Sequence, residues 1–225
     1  GAVAEGKATE FRNAIRTWVG RIKDPFFGNT PGLGAFRAQQ AQGKYDPQVW
    51  VKASGHNIFA GRTSCIFVLE VPNAMLGRHI NVFATSAVQQ GGAWEQVQYY
   101  GNVLISHTML FEDEALKAAY DASRPDRQKE FANFFSARIA RSAHFARSRK
   151  DPFAYGDEVA RQLLPDVMPY EVGTPASYLP ARRNGRKLSD DAMSTTLSLL
   201  IGKPTSQHLQ DPKNYSGAFP SDIPV

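Results

Sequence analysis

The order of hydrophobic and polar residues divides the chain near its middle, and strands are predicted before that point. Residues 7–22 carry side chains that favour strands, and the continuous apolar run over 62–71 predicts a strand buried on both faces. Residues 80–86 alternate as a half-buried strand does, and residues 94–100 form another strand after the hairpin loop 89–92. Together these segments predict one small, mostly antiparallel sheet of about four or five strands.

In the second half the hydrophobic residues recur at helical spacing. The apolar positions of a helix predicted over 126–147 are Phe131, Phe134, Phe135, Ile139 and Phe145. Asp151, followed by proline, predicts the start of the next helix; Ser189 predicts the N-cap of the last helix and Gly202 its end. A shorter helix is predicted over 33–42.

Strands followed by helices predict an α+β fold rather than a doubly wound parallel sheet. We expect a β-rich part over 1–102, a helical part over 103–203, and an extended tail over 204–225 that wraps the surface. With 225 residues, 42% of them hydrophobic and 21% charged, the composition fits one domain over 1–225 with one substantial core. No apolar run reaches the roughly 18–20 residues that a membrane-spanning helix needs, so no transmembrane segment is predicted.

The formal net charge is +5, and two groups of basic residues stand out. The first comprises Arg138, Arg141, Arg147, Arg149 and Lys150, and the second Arg182, Arg183, Arg186 and Lys187. Cations on the polar face and at the C-terminal end of a helix are commonly solvated, and we interpret both groups in this way. An anionic partner or surface is the alternative. Nucleic-acid binding is not predicted, because aromatic residues that stack on bases are absent from both groups.

The residue types that carry catalysis or bind metals lack the spacing that such sites need. The histidines are His56, His79, His107, His144 and His208. None of them shows the helical pairing or the Cys/His spacing of a metal site. Acidic residues at 112–114 and 190–191 are predicted to cap helices, and the single cysteine, Cys65, is predicted to be buried in a strand. We therefore predict no catalytic residue, no metal site and no cofactor.

Short motifs along nearly the whole chain carry a family resemblance. In the first half they are Trp18-Val-Gly-Arg21, Lys23-Asp-Pro-Phe-Phe27, Phe59-Ala-Gly-Arg62 and Ile66-Phe-Val-Leu-Glu-Val-Pro72. In the second half they are Gly101-Asn102, Leu163-Leu-Pro-Asp-Val167, Asn184-Gly-Arg186 and Phe219-Pro220. By these motifs and their order, the chain resembles the bacterial domain-of-unknown-function family 4331.

The resemblance implies a bacterial protein outside the cytoplasm, periplasmic or secreted, without an agreed activity. It also implies a preceding β-rich portion that this chain lacks. We therefore expect these residues to be the C-terminal portion of a longer precursor. If the precursor is cut naturally, its N-terminal fragment is expected to stay bound and to complete the sheet, whose edges otherwise need covering.

The family offers no catalytic residues, so the matching positions are interpreted structurally. Asp24 is expected to set a turn with the proline that follows it. Phe26 and Phe27 are expected to be the hydrophobic anchors of that turn. The polar residues expected to form buried ion pairs or to face a ligand are Arg21, Arg62 and Asp166.

We predict a non-catalytic binding or structural protein outside the cytoplasm, a subunit or accessory component of an envelope or surface assembly. Its expected partner is a protein, either the N-terminal fragment of the same precursor or other subunits. The alternative is an enzyme or metal-dependent factor whose site is completed by the absent N-terminal portion. Binding requires an exposed apolar surface or sheet edge. An enzyme requires a concave site where Arg62, Asp166, Glu70 or a histidine converge.

Overall fold

A computed structural model describes residues 5–11, 14–53 and 57–209, and it has the predicted α+β architecture. The N-terminal part is rich in strands and the C-terminal part is mostly helical, as the change in hydrophobic period predicts. His56, the motif at 219–220 and most of the predicted tail lie outside the described residues.

The strands are short and lie mostly before Ile105, where a run of helices begins. The strands are β1 Thr9–Glu10, β2 Arg16–Lys23, β3 Thr63–Glu70, β4 His79–Val82, β5 Ala84–Gln90, β6 Ala93–Tyr100, β7 Met168–Glu171, β8 Ser177–Leu179 and β9 Arg182–Asn184. The helices are α1 Thr30–Ala41, α2 Gln48–Lys52, α3 Ile105–Met109, α4 Glu114–Asp121, α5 Ala132–Phe145, α6 Pro152–Leu163 and α7 Ala192–Ile201. The described ranges also contain 3-10 turns at Asn73–Met75 and Gln128–Phe131.

The prediction of one small sheet is wrong, because the strands of the described ranges lie in separate antiparallel sheets. Strands β1, β2 and β3 form a three-stranded sheet. The other sheets each have two strands: β4 pairs with β7, β5 with β6, and β8 with β9. The segment 80–86 was predicted as one half-buried strand. It is divided at Phe83, because β4 pairs with β7 from the C-terminal part whereas β5 pairs with β6. All of β5 is exposed.

Strand β3 is less buried than its apolar sequence predicts, on both of its faces. Its residues alternate between exposed and partly buried, and Phe67 and Leu69 are 62% and 55% exposed. Cys65 is exposed too, which corrects the prediction that it is buried. Pairing with β2 turns one face of the sheet towards Trp18 and Ile22, and no described element covers the other face. An apolar run alone does not distinguish one covered face from two.

The helices enclose the main hydrophobic core. Its most completely buried large apolar side chains come from α1, α2, α4, α5, α6 and α7, and they are Phe36, Trp50, Tyr120, Phe135, Ile139, Leu163, Leu197, Leu200 and Ile201. Helix α5 begins later than predicted, after the 3-10 turn. None of the helices within the described ranges is long and apolar enough to cross a membrane.

Acidic residues cap three of these helices. Asp113 accepts from the Leu116 amide at 2.9 Å, and Asp151 accepts from the Ala154 amide at 3.0 Å. The cap of α7 is Asp191 rather than the predicted Ser189. The helix begins later because Asp190 accepts from the Lys187 amide in a turn that precedes it. Gly202 ends α7 in the left-handed conformation, as predicted.

The start of the predicted surface tail is inserted into the fold. Gln207 is completely buried. Its side-chain oxygen accepts from the Asn29 amide at 2.8 Å, and its side-chain nitrogen donates to Asp191 at 2.6 Å. The two residues that it contacts are the N-caps of α1 and α7. The described part of the tail therefore joins two helix N-termini instead of wrapping the surface.

Candidate functional site

A cleft of about 660 Å³ lies at the base of the β5–β6 hairpin, beside α3 and the loop that carries Asp166. Its wall is largely aromatic and is formed by Phe26, Phe59, Phe83, Tyr99 and Tyr100. The titratable residues on its lining are His107, Asp121, Asp166 and Arg186, besides the tyrosines. Two residues singled out from the sequence, Phe26 and Asp166, thus meet in one cavity.

The aromatic wall is built from two ring pairs. Phe26 contacts Phe59 edge-on, with ring centroids 4.8 Å apart, and Phe83 stacks on Tyr99 at 5.4 Å. Phe83 and Tyr100 remain 46% and 47% exposed, so part of this wall faces solvent. Such a surface binds apolar or aromatic groups, because removing it from water is favourable.

The Asp24 turn orients the two phenylalanines. The Asp24 carboxylate accepts from the Phe26 amide at 2.9 Å and from the Ser64 hydroxyl at 2.9 Å. The turn is therefore tied to β3. Phe27 is 7% exposed, whereas Phe26 is only partly buried because it lines the cleft. One of the two expected anchors thus faces the cleft.

The structure does not bring Arg21 and Arg62 to Asp166. Arg21 forms an ion pair with Glu5 at 3.0 Å, and both side chains are mostly exposed. This corrects the expectation of a buried pair, and an exposed pair contributes little stability. Arg21 is exposed because it lies on the side of β2 opposite Trp18 and Ile22. Arg62 is also exposed, with its guanidinium 5.4 Å from the Phe59 ring centroid.

Asp166 is the centre of a buried hydrogen-bond network. One carboxylate oxygen accepts from the amide and the side chain of Asn102, at 2.6 and 2.7 Å, and the other accepts from the Tyr120 hydroxyl at 2.9 Å. The main chain of Asp166 accepts from the Tyr99 hydroxyl at 2.6 Å and donates to Gln128 at 2.7 Å. Burial raises the pKa of Asp166, and the bonds from Asn102 and Tyr120 oppose that shift.

The network connects the two halves of the chain. Gly101 passes so close that a Cβ there would lie 1.9 Å from the Asp166 carbonyl oxygen. Arg183 donates to the Asn102 side chain at 3.0 Å, and burial lowers the pKa of Arg183 and of Arg186. Both arginines were predicted to be solvated, and both are partly buried here. Arg183 is drawn inward by its bonds to the Asn102 side chain and to the Gln162 carbonyl.

Asp121, Asp166 and His107 of the cleft already have partners. Asp121 forms an ion pair with Lys117 at 2.7 Å, and the Asp166 carboxylate accepts from three donors. His107 contacts the Ser106 hydroxyl at 3.3 Å, and burial lowers its pKa. Within the described residues, no group of three His, Cys, Asp or Glu side chains is placed to hold a metal ion. The arrangement is suited to holding an apolar group beside a rigid polar network.

A second polar cluster surrounds Phe111. Arg37 and Arg138 lie over its ring at 4.4 and 4.1 Å, and Glu112 binds Arg138 at 3.2 Å and also contacts Arg141. Burial lowers the pKa of Arg138 to about 10. Glu112 was predicted to cap α4. Instead, Asp113 is the cap, while Glu112 neutralises buried arginine charge.

Glu112→Gln is expected to lower the free energy of unfolding by about 1–2 kcal/mol, because it leaves the Arg138 charge without its carboxylate. Urea denaturation measures this. The matched control is Glu130→Gln, which breaks an exposed pair with Arg127 and is expected to cost less than about 0.5 kcal/mol. If both variants lost the same free energy of unfolding, the burial of Arg138 would not be what makes its ion pair with Glu112 stabilising.

Comparison of the chain with protein-family models, with curated proteins and with solved structures gave no match. The resemblance to family 4331 and the location outside the cytoplasm therefore stay predictions. A function for this chain has to be argued from the cleft, the hairpin and the exposed sheet.

Proposed function

We propose that this chain is a non-catalytic binding protein that acts as a subunit or accessory component of an assembly outside the cytoplasm. The observation that carries the proposal is the exposed, nearly uncharged β5–β6 hairpin beside the aromatic cleft. The occupant that fits it is an extended segment of a partner protein that carries an apolar side chain. This segment adds to the β5 edge as a further strand.

The hairpin lacks the protection that exposed strand edges usually have. Between residues 84 and 100, Glu95 is the single charged residue, and there is neither lysine nor proline. Trp94, Val88 and Val97 are 73%, 44% and 42% exposed. Soluble proteins normally place charges or prolines on such edges to prevent pairing with other chains. An edge without them is suited to pairing with a partner strand.

The base of the hairpin is held firmly, so its free edge is presented in a fixed position. Gln96 donates to the carbonyls of Asp121 and Ser123, both at 2.8 Å, and Tyr99 is bonded to Asp166. Among the described residues β5 pairs with β6 alone, so the outer edge of β5 offers unpaired amide and carbonyl groups. Because the edge is already fixed, less conformational entropy is lost when a partner binds.

The cleft and the edge are adjacent along the chain. Phe83 immediately precedes β5, and Tyr100 ends β6, so the aromatic wall lies at the base of the hairpin. A strand that pairs with β5 can therefore place one apolar side chain against Phe83 and Tyr100. Main-chain hydrogen bonds then give affinity, and the aromatic wall gives selectivity for that side chain.

The uncovered face of β3 is a second surface for a partner. Phe67 and Leu69 lie on it and are more than half exposed. This face is where we place the N-terminal fragment that the family resemblance implies. A fragment that covered it would bury apolar surface that the described residues leave in water.

Val88→Lys tests the hairpin proposal, because a lysine on an exposed edge opposes strand pairing. We expect a partner that copurifies with the wild-type protein to lose at least about tenfold in affinity, as a charge must be desolvated at the new interface. The measurement is native mass spectrometry of the protein isolated from its source, followed by titration of the partner.

The matched control is Val51→Lys in α2, because Val51 and Val88 are both 44% exposed. It is expected to leave both partner binding and thermal stability unchanged. Partner binding that survives Val88→Lys would contradict the role of the hairpin edge. A protein without a partner, carrying added small-molecule mass, would favour the enzyme or metal-dependent alternative instead.

A further inference from the structure

A pocket of about 700 Å³ lies at the C-terminal end of α5, and its lining contains several basic side chains and no carboxylate. They are Lys44, His144, Arg147, Arg149 and Lys150. Tyr45 and Phe145 are the aromatic residues of the lining. The pocket shares no lining residue with the aromatic cleft. It combines the α1–α2 connection with the loop between α5 and α6.

These cations are not neutralised within the described part of the chain. Lys44, Arg147, Arg149 and Lys150 form no ion pair with any residue in 5–11, 14–53 or 57–209. The carboxylates nearest to them in sequence serve as caps: Asp46 accepts from the Gln48 amide at 2.9 Å and Asp151 from the Ala154 amide at 3.0 Å. Among the described residues, these four basic side chains therefore have no carboxylate paired with them.

A further cation lies at the same corner of the fold. The Lys203 ammonium is 5.4 Å from the centroid of the Tyr45 ring, and it donates to the Ala146 carbonyl at 3.5 Å. Residues from three separate parts of the sequence thus bring positive charge to the pocket and to its border at Tyr45. Like charges repel, so this arrangement costs free energy when no anion is present.

The backbone of Arg147 is strained in a way that shapes this pocket. Arg147 has a φ of 48°, the left-handed region, directly after α5. The Ser148 amide donates to the Ala143 carbonyl at 3.1 Å, which closes the helix at a position where glycine is the usual residue. An arginine in this conformation costs about 1 kcal/mol, and such strain is found where a side chain has a function.

The helix dipole does not account for all of these cations. Positive charge is favoured in the last turn of a helix, and this covers Arg147, which directly follows that turn. Lys44 comes from a different part of the chain, and Lys150 lies beyond the end of α5.

We infer that the pocket binds the phosphate groups of a multivalent phosphate ligand. Both free polyphosphate and a phospholipid surface offer this chemistry.

Titration calorimetry with tripolyphosphate tests the inference at low and at moderate salt. The variant is Lys44→Gln with Arg147→Gln and Lys150→Gln. The control is Lys129→Gln with Arg161→Gln and Arg182→Gln, three exposed basic residues outside the pocket, and it makes the same change in net charge. We expect the variant to weaken binding at least about tenfold and the control less than about twofold, because charge-assisted hydrogen bonds are local. Binding is expected to weaken with salt.

A second arm uses vesicles with and without anionic phospholipid. If the protein binds vesicles but not tripolyphosphate, or the reverse, the result identifies the source of the phosphate. In either case the pocket variant has to abolish the binding and the control variant has to keep it. If variant and control lost the same affinity, net charge alone would explain the binding and the inference would be overturned. The absence of binding in both arms would overturn it too. If the triple variant unfolds, Lys44→Gln with Lys150→Gln keeps Arg147 and answers the same question.

Discussion

Asp166→Ala is expected to lower the free energy of unfolding by about 3–5 kcal/mol, the largest loss of any single change considered for this chain. The substitution leaves the Asn102 amide, the Asn102 side chain and the Tyr120 hydroxyl without their acceptor in a buried site. Each such buried donor costs about 1–3 kcal/mol when it loses its partner, and the losses are not fully additive. Urea denaturation followed by circular dichroism measures the change.

Asp166→Asn is the control for this prediction, because it keeps the shape and one oxygen acceptor. Its oxygen can accept both bonds from Asn102, and its amide can donate to the Tyr120 hydroxyl. We expect a loss of about 1 kcal/mol. If Asp166→Ala lowered the free energy of unfolding no more than Asp166→Asn does, the hydrogen bonds of Asp166 would not stabilise the contact between the two halves of the chain.

The same pair of proteins gives a pH dependence. Burial raises the folded-state pKa of Asp166 above its ordinary value of 3.8, so the folded state binds the proton more tightly than the unfolded state does. This stabilisation is fully present below about pH 4 and is lost as the pH rises through the folded-state pKa. The stability of the wild type relative to Asp166→Asn is therefore expected to fall as the pH rises above about 4. A relative stability that rises over this range would contradict the raised pKa.

Gly156→Ala is expected to cost about 2–3 kcal/mol, because it overpacks the contact between α5 and α6. A Cβ at Gly156 would lie 2.4 Å from the Ser136 carbonyl oxygen and 3.1 Å from the Ala140 Cβ. The obstacle at Ser136 is backbone, so the two helices have to move apart. The change is measured as a lower midpoint of urea unfolding.

Gly34→Ala is the matched control, since Gly34 is also inside a helix but has no atom within 4 Å of an added Cβ. Here alanine is expected to stabilise the protein by about 0.5–1 kcal/mol, through its higher helix propensity. Opposite signs for the two glycine substitutions are therefore expected. A loss at Gly34 equal to that at Gly156 would mean that close packing is not the cause.

Local signals in the sequence identify local structure. The β5–β6 hairpin is predicted from two alternating segments around Gly91 and Gly92, and both glycines have the positive φ that a tight hairpin turn requires. The cap at Asp151 follows from its position before a proline. In each case the residues that determine the structure are within a few positions of one another.

Prediction fails where the answer depends on distant residues. The apolar run of β3 is compatible with one covered face or two, and only its pairing with β2 and the lack of a further layer on the described chain decide. Asp166 was singled out, but its bonds to Asn102 and Tyr120 were not predicted, since these residues lie 64 and 46 positions away. Neither spacing nor residue type relates those positions before the fold is known.

The buried side chain of Gln207 has a consequence for how the protein is made. Its partner Asn29 lies 178 residues earlier in the chain. At a synthesis rate of about 5–20 residues per second, Asn29 is made roughly 10–35 s before Gln207 exists. During that interval the N-terminus of α1 lacks this partner, whatever other contacts have formed. The native arrangement of α1 is thus completed only when the ribosome has passed the end of α7, so the N-terminal part of the nascent chain has to wait for its C-terminal part.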